Sequence, residues 1–149
     1  MTDPRDLPKE LARGVARALA QRGFATLTEV PLANGRRADL LALGRDGFLL
    51  IVEVKSSLAD FRSDRKWPDY RAYCDRLSFA VPADFPQALI PEDCGLIVAD
   101  PFGAVFLREG VALPLASARR KAVTLRFARI AASRMQRLTD PAALAPEPG

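Results

Sequence analysis

Residues 47–55, GFLLIVEVK, read together with residues 36–43, RRADLLAL, decide how this chain folds. The first is a near-continuous apolar run, the pattern of a strand buried on both faces, and it closes by placing Glu53 and Lys55 two residues apart. Side chains two apart on a strand point the same way, so both charges share one face at the strand's end. The second stretch is another apolar strand, with a single acid, Asp39, where an unpaired carboxylate is costly. An Asp on one strand and Glu-x-Lys on the next can hold a divalent cation and a phosphodiester. Two plainer readings stand beside it: a solvated pair of rim charges for Glu53 and Lys55, and a salt bridge from Asp39 to Arg36 or Arg37.

Turn and cap signals order the rest. A helix is expected over residues 7–22, with Leu7, Leu11, Val15 and Leu19 at helical spacing and Gly23 as its stop. Residues 24–32 form a first strand, interrupted by Pro31. Asn34-Gly35 and Arg45-Asp46-Gly47 are turns that fold three strands into an antiparallel meander. After Lys55, Ser56 or Ser57 caps a helical stretch over 58–64. A second helix begins at Pro68, with Tyr70, Tyr73, Cys74 and Leu77 as its apolar face. Strands are then expected at 77–81, 96–99 and 104–107, the last two as a hairpin, with a short edge strand at 111–113. The segment 82–94 reads as loop, with room for one helical turn. Ser117 opens a long helix to about residue 138. The expectation is one α/β domain over 1–140, a mixed sheet in the order αβββαβ flanked by helices, followed by a β-hairpin and a basic C-terminal helix. Residues 141–149 form a flexible, Pro-rich tail.

Composition narrows the chemistry. The 149 residues include no histidine, which excludes Ser-His-Asp and Cys-His catalysis and His-ligated zinc. Any metal then needs oxygen ligands, favouring Mg²⁺ or Mn²⁺. Neither GxxxxGK[ST] nor GxGxxG occurs. The two cysteines, Cys74 and Cys94, are far apart and read as small buried side chains. No run approaches the roughly 20 apolar residues of a membrane span. The opening MTDPRDLPKE lacks the apolar centre of a signal peptide, so a cytoplasmic protein with no membrane partner is expected. The net charge of +4 is concentrated near the end of the chain: residues 110–139 carry Arg119, Arg120, Lys121, Arg126, Arg129, Arg134 and Arg137 and no acid. A polyanionic partner follows.

On chemistry alone, Asp39 and Glu53 supply two carboxylates to one cation, the Val54 carbonyl a third oxygen, and Lys55 a group to orient or deprotonate water or hold the scissile phosphate. Burial and a nearby metal favour the neutral form of Lys55. Glu29 and Glu10 compete as a further carboxylate. Each has a plain alternative, Glu29 as a solvated strand residue and Glu10 as a first-turn acid favoured by the helix dipole. The stretch 60–73, DFRSDRKWPDYRAY, offers Arg37's neighbours in DNA contact: Arg62, Lys66, Trp67 and Tyr70, cations mixed with aromatics. Against that, Tyr70 and Tyr73 fit the core face, and Asp60 and Asp64 can pair with Arg62–Lys66. On the last helix, Val123, Phe127, Ile130, Ala131, Met135 and Leu138 share a face. Arg119, Arg126, Arg129 and Arg137 form a stripe beside it, read as a phosphate track. Arg134 intrudes on the apolar face.

The αβββαβ order with Asp39 and Glu53-Val54-Lys55 resembles the PD-(D/E)XK (restriction-endonuclease-like) superfamily over residues 7–82. More narrowly, RRADLLAL and IVEVKSSLADFRSDRKWPDYRAYCDRLSFAVP resemble the MmcB family of DNA repair proteins over most of the chain. Ala38 stands where the superfamily name has proline, a position that supplies no chemistry. The resemblance implies a metal-dependent DNA endonuclease of repair, with Asp39, Glu53 and Lys55 as the matching positions. Damaged, branched or single-stranded DNA is the expected partner, with repair proteins or a second copy as further candidates. The competing readings are a catalytically silent DNA-binding module and an interaction subunit of a repair assembly.

Overall fold

The structure, a computed structural model, describes residues 3–142. The expected flexible tail at 141–149 lies almost wholly outside them. Six strands form one mixed sheet: β1 (Ala25–Pro31), β2 (Arg37–Leu43), β3 (Leu49–Val54), β4 (Arg76–Val81), β5 (Gly95–Ala99) and β6 (Ala104–Arg108), side by side in chain order. β1 to β3 are the antiparallel meander, β4 runs parallel to β3, β5 parallel to β4, and β6 returns antiparallel to β5. Gly35 and Gly47, at φ +83° and +89°, supply the left-handed backbone that the two meander turns require.

Helix α1 (Leu7–Gln21) covers one face of the sheet. Leu11, Val15 and Leu19 are buried against Leu40, Val52 and Ile97, as their spacing demands. Close approach is possible because Gly14 has no side chain: a Cβ there would collide with the carbonyl of Asp100 and crowd that of Gly103, in the β5–β6 turn. On the opposite face lie α2 (Leu58–Ser63), a 3-10 segment (Trp67–Tyr73) and α3 (Ser117–Thr139). Ser57 caps α2 by accepting from the N–H of Asp60. Phe61 and Trp67 pack edge-on against the fully buried Phe79, with centroids 5.6 and 5.4 Å away.

Asp75, just before β4, anchors α3. Its buried carboxylate accepts from the backbone N–H of Leu49 (2.8 Å) and Leu115 (2.9 Å) and from both arms of the Arg120 guanidinium. Burial pushes this carboxyl up, but Arg120 and the backbone donors outweigh it and hold it below the usual range.

Three expectations differ. The segment after Pro68 is 3-10 rather than α-helical, because in seven residues it must turn the chain back into β4. No strand forms at 111–113: Val111 and Leu113 bond instead to the carbonyls of Asp93 and Asp75, on two separate loops. On α3, Val123, Phe127 and Ile130 are buried, but Met135 and Leu138 are 60% and 79% exposed. The helix passes over β1, an edge strand, and has no sheet beneath its last turns.

Candidate active site

Extending the β2–β3 register past Leu40↔Val52 would set Asp39 opposite Glu53. The ladder stops there, and side chains replace it. The Asp39 N–H donates to Glu53 Oε1 (3.0 Å), and the Val54 N–H donates to Asp39 Oδ2 (2.8 Å). Each carboxylate thus spends one oxygen on the neighbouring strand's backbone, and the two side chains lie within hydrogen-bonding reach of each other. Glu53 is 4% exposed. Burial and then the Asp39 charge push its carboxyl from 4.5 up to about 9. Asp39 is also raised, by burial first, against the opposing pull of its bond from Val54.

Lys55 points from the same face and is 6% exposed. Its Nζ is 2.6 Å from Asp64 Oδ2, and the other Asp64 oxygen accepts the Lys66 N–H. Burial opposes the charge on Lys55. The bond to Asp64 and the charges of Asp60, Asp64 and Glu53 overcome that and raise its pKa. Among these carboxylates Lys55 is held as a cation, whereas the neutral form is expected from burial together with a metal beside it. Asp64 pairs with Lys55 across the cleft, rather than with the basic residues beside it in sequence. Arg36 pairs with Asp69 at 3.1 Å, so it is not the partner of Asp39.

Asp39, Glu53, Val54 and Lys55 line one cleft of about 570 Å³, with Asp60 and Asp64 beside them and Arg37, Arg65 and Lys66 at its rim. A second cavity of about 480 Å³ adjoins it and shares Pro8, Asp39 and Val54; Lys9, Ala12, Arg13, Ala16, Thr28 and Glu29 complete its walls. Glu29 thus lies at the site, at the unusual φ of +50° for a side-chain-bearing residue. Glu10 lines neither cavity. The α1 residues that do reach the site, Lys9 and Arg13, were not foreseen: their charges look unremarkable in a helix, and only the docking of α1 sets them beside the cavity, where both stay exposed.

The expected DNA-contacting residues divide. Arg37 and Lys66 are exposed on the rim, whereas Arg62 is exposed outside it. Tyr70 is 6% exposed and donates its hydroxyl to the Arg37 carbonyl; its ring packs in the core and also lines the cleft. None of Arg119, Arg126, Arg129 and Arg137 lines the cleft. Arg119 donates to the Ala72 carbonyl and lies over the Tyr73 ring, and Arg126 reaches the Pro31 carbonyl (3.3 Å). Arg134 explains its place on the apolar face: its guanidinium takes the carbonyls of Thr28 (2.6 Å) and Glu29 (2.9 Å). Arg119 and Arg126 of the stripe thus also fasten α3 to the protein body. The phosphate track expected on the stripe lies away from the cleft, whose own cations are Arg37, Arg65 and Lys66.

Among the described residues, no three Asp, Glu or Cys side chains are grouped as a metal site, and no helix is long and apolar enough to cross a membrane.

The family model for MmcB-like DNA repair proteins matches residues 4–142. No curated protein matches the chain. A solved structure, of a protein of unknown function from Silicibacter pomeroyi, is similar over 97% of both chains, with a TM-score of 0.90 and 42% identity. That likeness carries the whole mixed sheet and its helices, and the family match spans every element built around Asp39 and Glu53. The chain belongs to the MmcB-like family of DNA repair proteins.

Proposed function

We propose that this protein is a metal-dependent deoxyribonuclease of DNA repair, built on a PD-(D/E)XK core and hydrolysing phosphodiester bonds at the end of β3. The observation that carries the reading is the parting of β2 and β3 at Asp39 and Glu53, with Lys55 on the same face and cations around the rim.

The donor set suits Mg²⁺ or Mn²⁺. A buried carboxyl and a half-buried one beside it, both raised by burial, are a pair that a dication relieves, and each keeps an oxygen free of its backbone bond. The Val54 carbonyl, water and substrate phosphate would complete an oxygen shell, with Glu29 in the adjoining cavity as a further carboxylate. When bound, the ion activates water and offsets charge at phosphorus. Asp39 and Glu53 bind and orient. Lys55, charged and fixed by Asp64, clamps the scissile phosphate rather than removing a proton from water. Arg37, Arg65, Lys66, Lys9 and Arg13 receive the flanking backbone.

A cleavage assay on supercoiled, single-stranded and branched DNA, with Mn²⁺ or Mg²⁺, tests this beside Lys55→Ala. Metal-dependent cutting that disappears in the variant supports it. Salt-sensitive binding without cutting in either protein would replace it with a silent DNA-binding module, and neither cutting nor binding with an interaction subunit.

A further inference from the structure

The second cavity is unlike the acid cleft beside it. Its α1 wall is Pro8, Ala12 and Ala16, small and apolar, and Val54 closes the floor. Ala12 and Ala16 are only half-buried, so this surface faces open space. Thr28 and Glu29 add polar groups from β1, and Lys9 and Arg13 bring two cations from α1. Thr28 and Glu29 hold this position through an irregular strand. Successive carbonyls of a regular strand point in opposite directions, yet the guanidinium of Arg134 takes both the Thr28 and Glu29 carbonyls. The left-handed φ of Glu29 accompanies that departure from a regular strand. The pairs on either side, Thr28↔Leu40 and Val30↔Ala38, keep the normal register. The irregularity is confined to the residue at the cavity.

We infer that this cavity receives one unpaired nucleobase of the DNA whose phosphate lies at Asp39 and Glu53; the inference rests on the phosphodiester reading of that site. Its volume, about 480 Å³, accommodates a base and its sugar. The Pro8–Ala12–Ala16 wall offers apolar surface to a base face. The Glu29 carboxylate and Thr28 hydroxyl meet its hydrogen-bonding edge, a carboxylate accepting from exocyclic amino groups. Lys9 and Arg13 take the adjoining phosphates. Because the two cavities share Asp39 and Val54, a nucleotide with its phosphate in one has its base within reach of the other. A fully paired base has no such freedom, so the substrate class is DNA with an unpaired or extruded nucleotide: single strands, bulges or mismatches.

The test uses oligonucleotides carrying 2-aminopurine at one position, either bulged or fully paired, bound to the full chain with Ca²⁺ in place of Mn²⁺. The variants are Ala12→Leu and Ala16→Leu, which fill the cavity from its α1 wall. The parent should brighten the bulged probe and bind it at least about tenfold tighter than the paired duplex. Both effects should fall away in the Leu variants, while duplex binding and Mn²⁺ binding stay at parental levels. An equal fluorescence response in parent and Leu variants, or equal affinity for bulged and paired DNA, would overturn the inference. Calorimetric Mn²⁺ binding shows that the variants are folded. The base pocket and the nuclease can fail separately: a base signal without cleavage refutes only the nuclease, and cleavage indifferent to pairing refutes only the pocket.

Discussion

Replacing Glu53 by Gln removes one buried carboxyl while keeping an oxygen to accept the Asp39 N–H. In the unfolded chain Glu53 titrates near 4.5, and in the fold near 9. Folding between those pH values therefore takes up a proton. The folded value is the raised one, so the penalty is absent below 4.5, grows as pH rises, and is complete above 9. Each pH unit costs about 1.4 kcal/mol, or of order 4 kcal/mol from pH 5 to pH 8. For a chain of this size that is roughly 10 °C in Tm. Glu53→Gln should be the more stable protein without metal, with an advantage that widens by that amount between pH 5 and 8. Metal should reverse the order. Mn²⁺ displaces the proton, so its Kd for the parent should tighten about tenfold per pH unit between 6 and 8, with about one proton released, while Glu53→Gln binds poorly at every pH. Thermal unfolding across that range, with calorimetry in two buffers of different ionisation enthalpy, measures both. Parallel stability curves for the two proteins and no proton release would refute the reasoning.

Other consequences are more local. Gly14→Ala forces α1 off the β5–β6 turn and should cost at least about 2 kcal/mol in chemical denaturation, because the obstacle is backbone carbonyl rather than a movable side chain. Arg120→Met leaves Asp75 buried without its charged partner and should cost about 3 kcal/mol at neutral pH. The Asp75 carboxyl is held below 3.8, so its contribution is present above that value and lost as pH falls. The parent's stability should therefore drop more steeply on acidification than the variant's. Asp64→Asn deprives Lys55 of the partner that offsets its burial. DNA affinity in this variant should begin to fall at a lower pH than in the parent as Lys55 loses its proton, with Mn²⁺ affinity nearly unchanged.

The meander was legible because two glycine turns and a run of buried apolar residues leave few ways to place 25–54. Asp39, Glu53 and Lys55 were legible for a related reason: charges inside or at the end of buried strands have few places to go. Asp64 was hidden. Among Arg62, Arg65 and Lys66 it looks locally paired, and only the turn after α2 brings it back over Lys55. The contacts of the α3 arginines were hidden too. Seven cations without an acid suggest a polyanion, but several of them find backbone carbonyls that no sequence pattern announces. The cations that do surround the cleft are scattered over α1, β2 and the segment after α2, so no local run reveals them.

The most direct measurement is single-turnover hydrolysis of an end-labelled single-stranded DNA in Mn²⁺ by the parent, Asp39→Asn and Glu53→Gln. The account predicts cutting by the parent that stops on adding a chelator and falls at least about a hundredfold in either variant, though both remain folded. Cutting at the parental rate by the two variants, or none by a parent that binds both Mn²⁺ and the DNA, would contradict it.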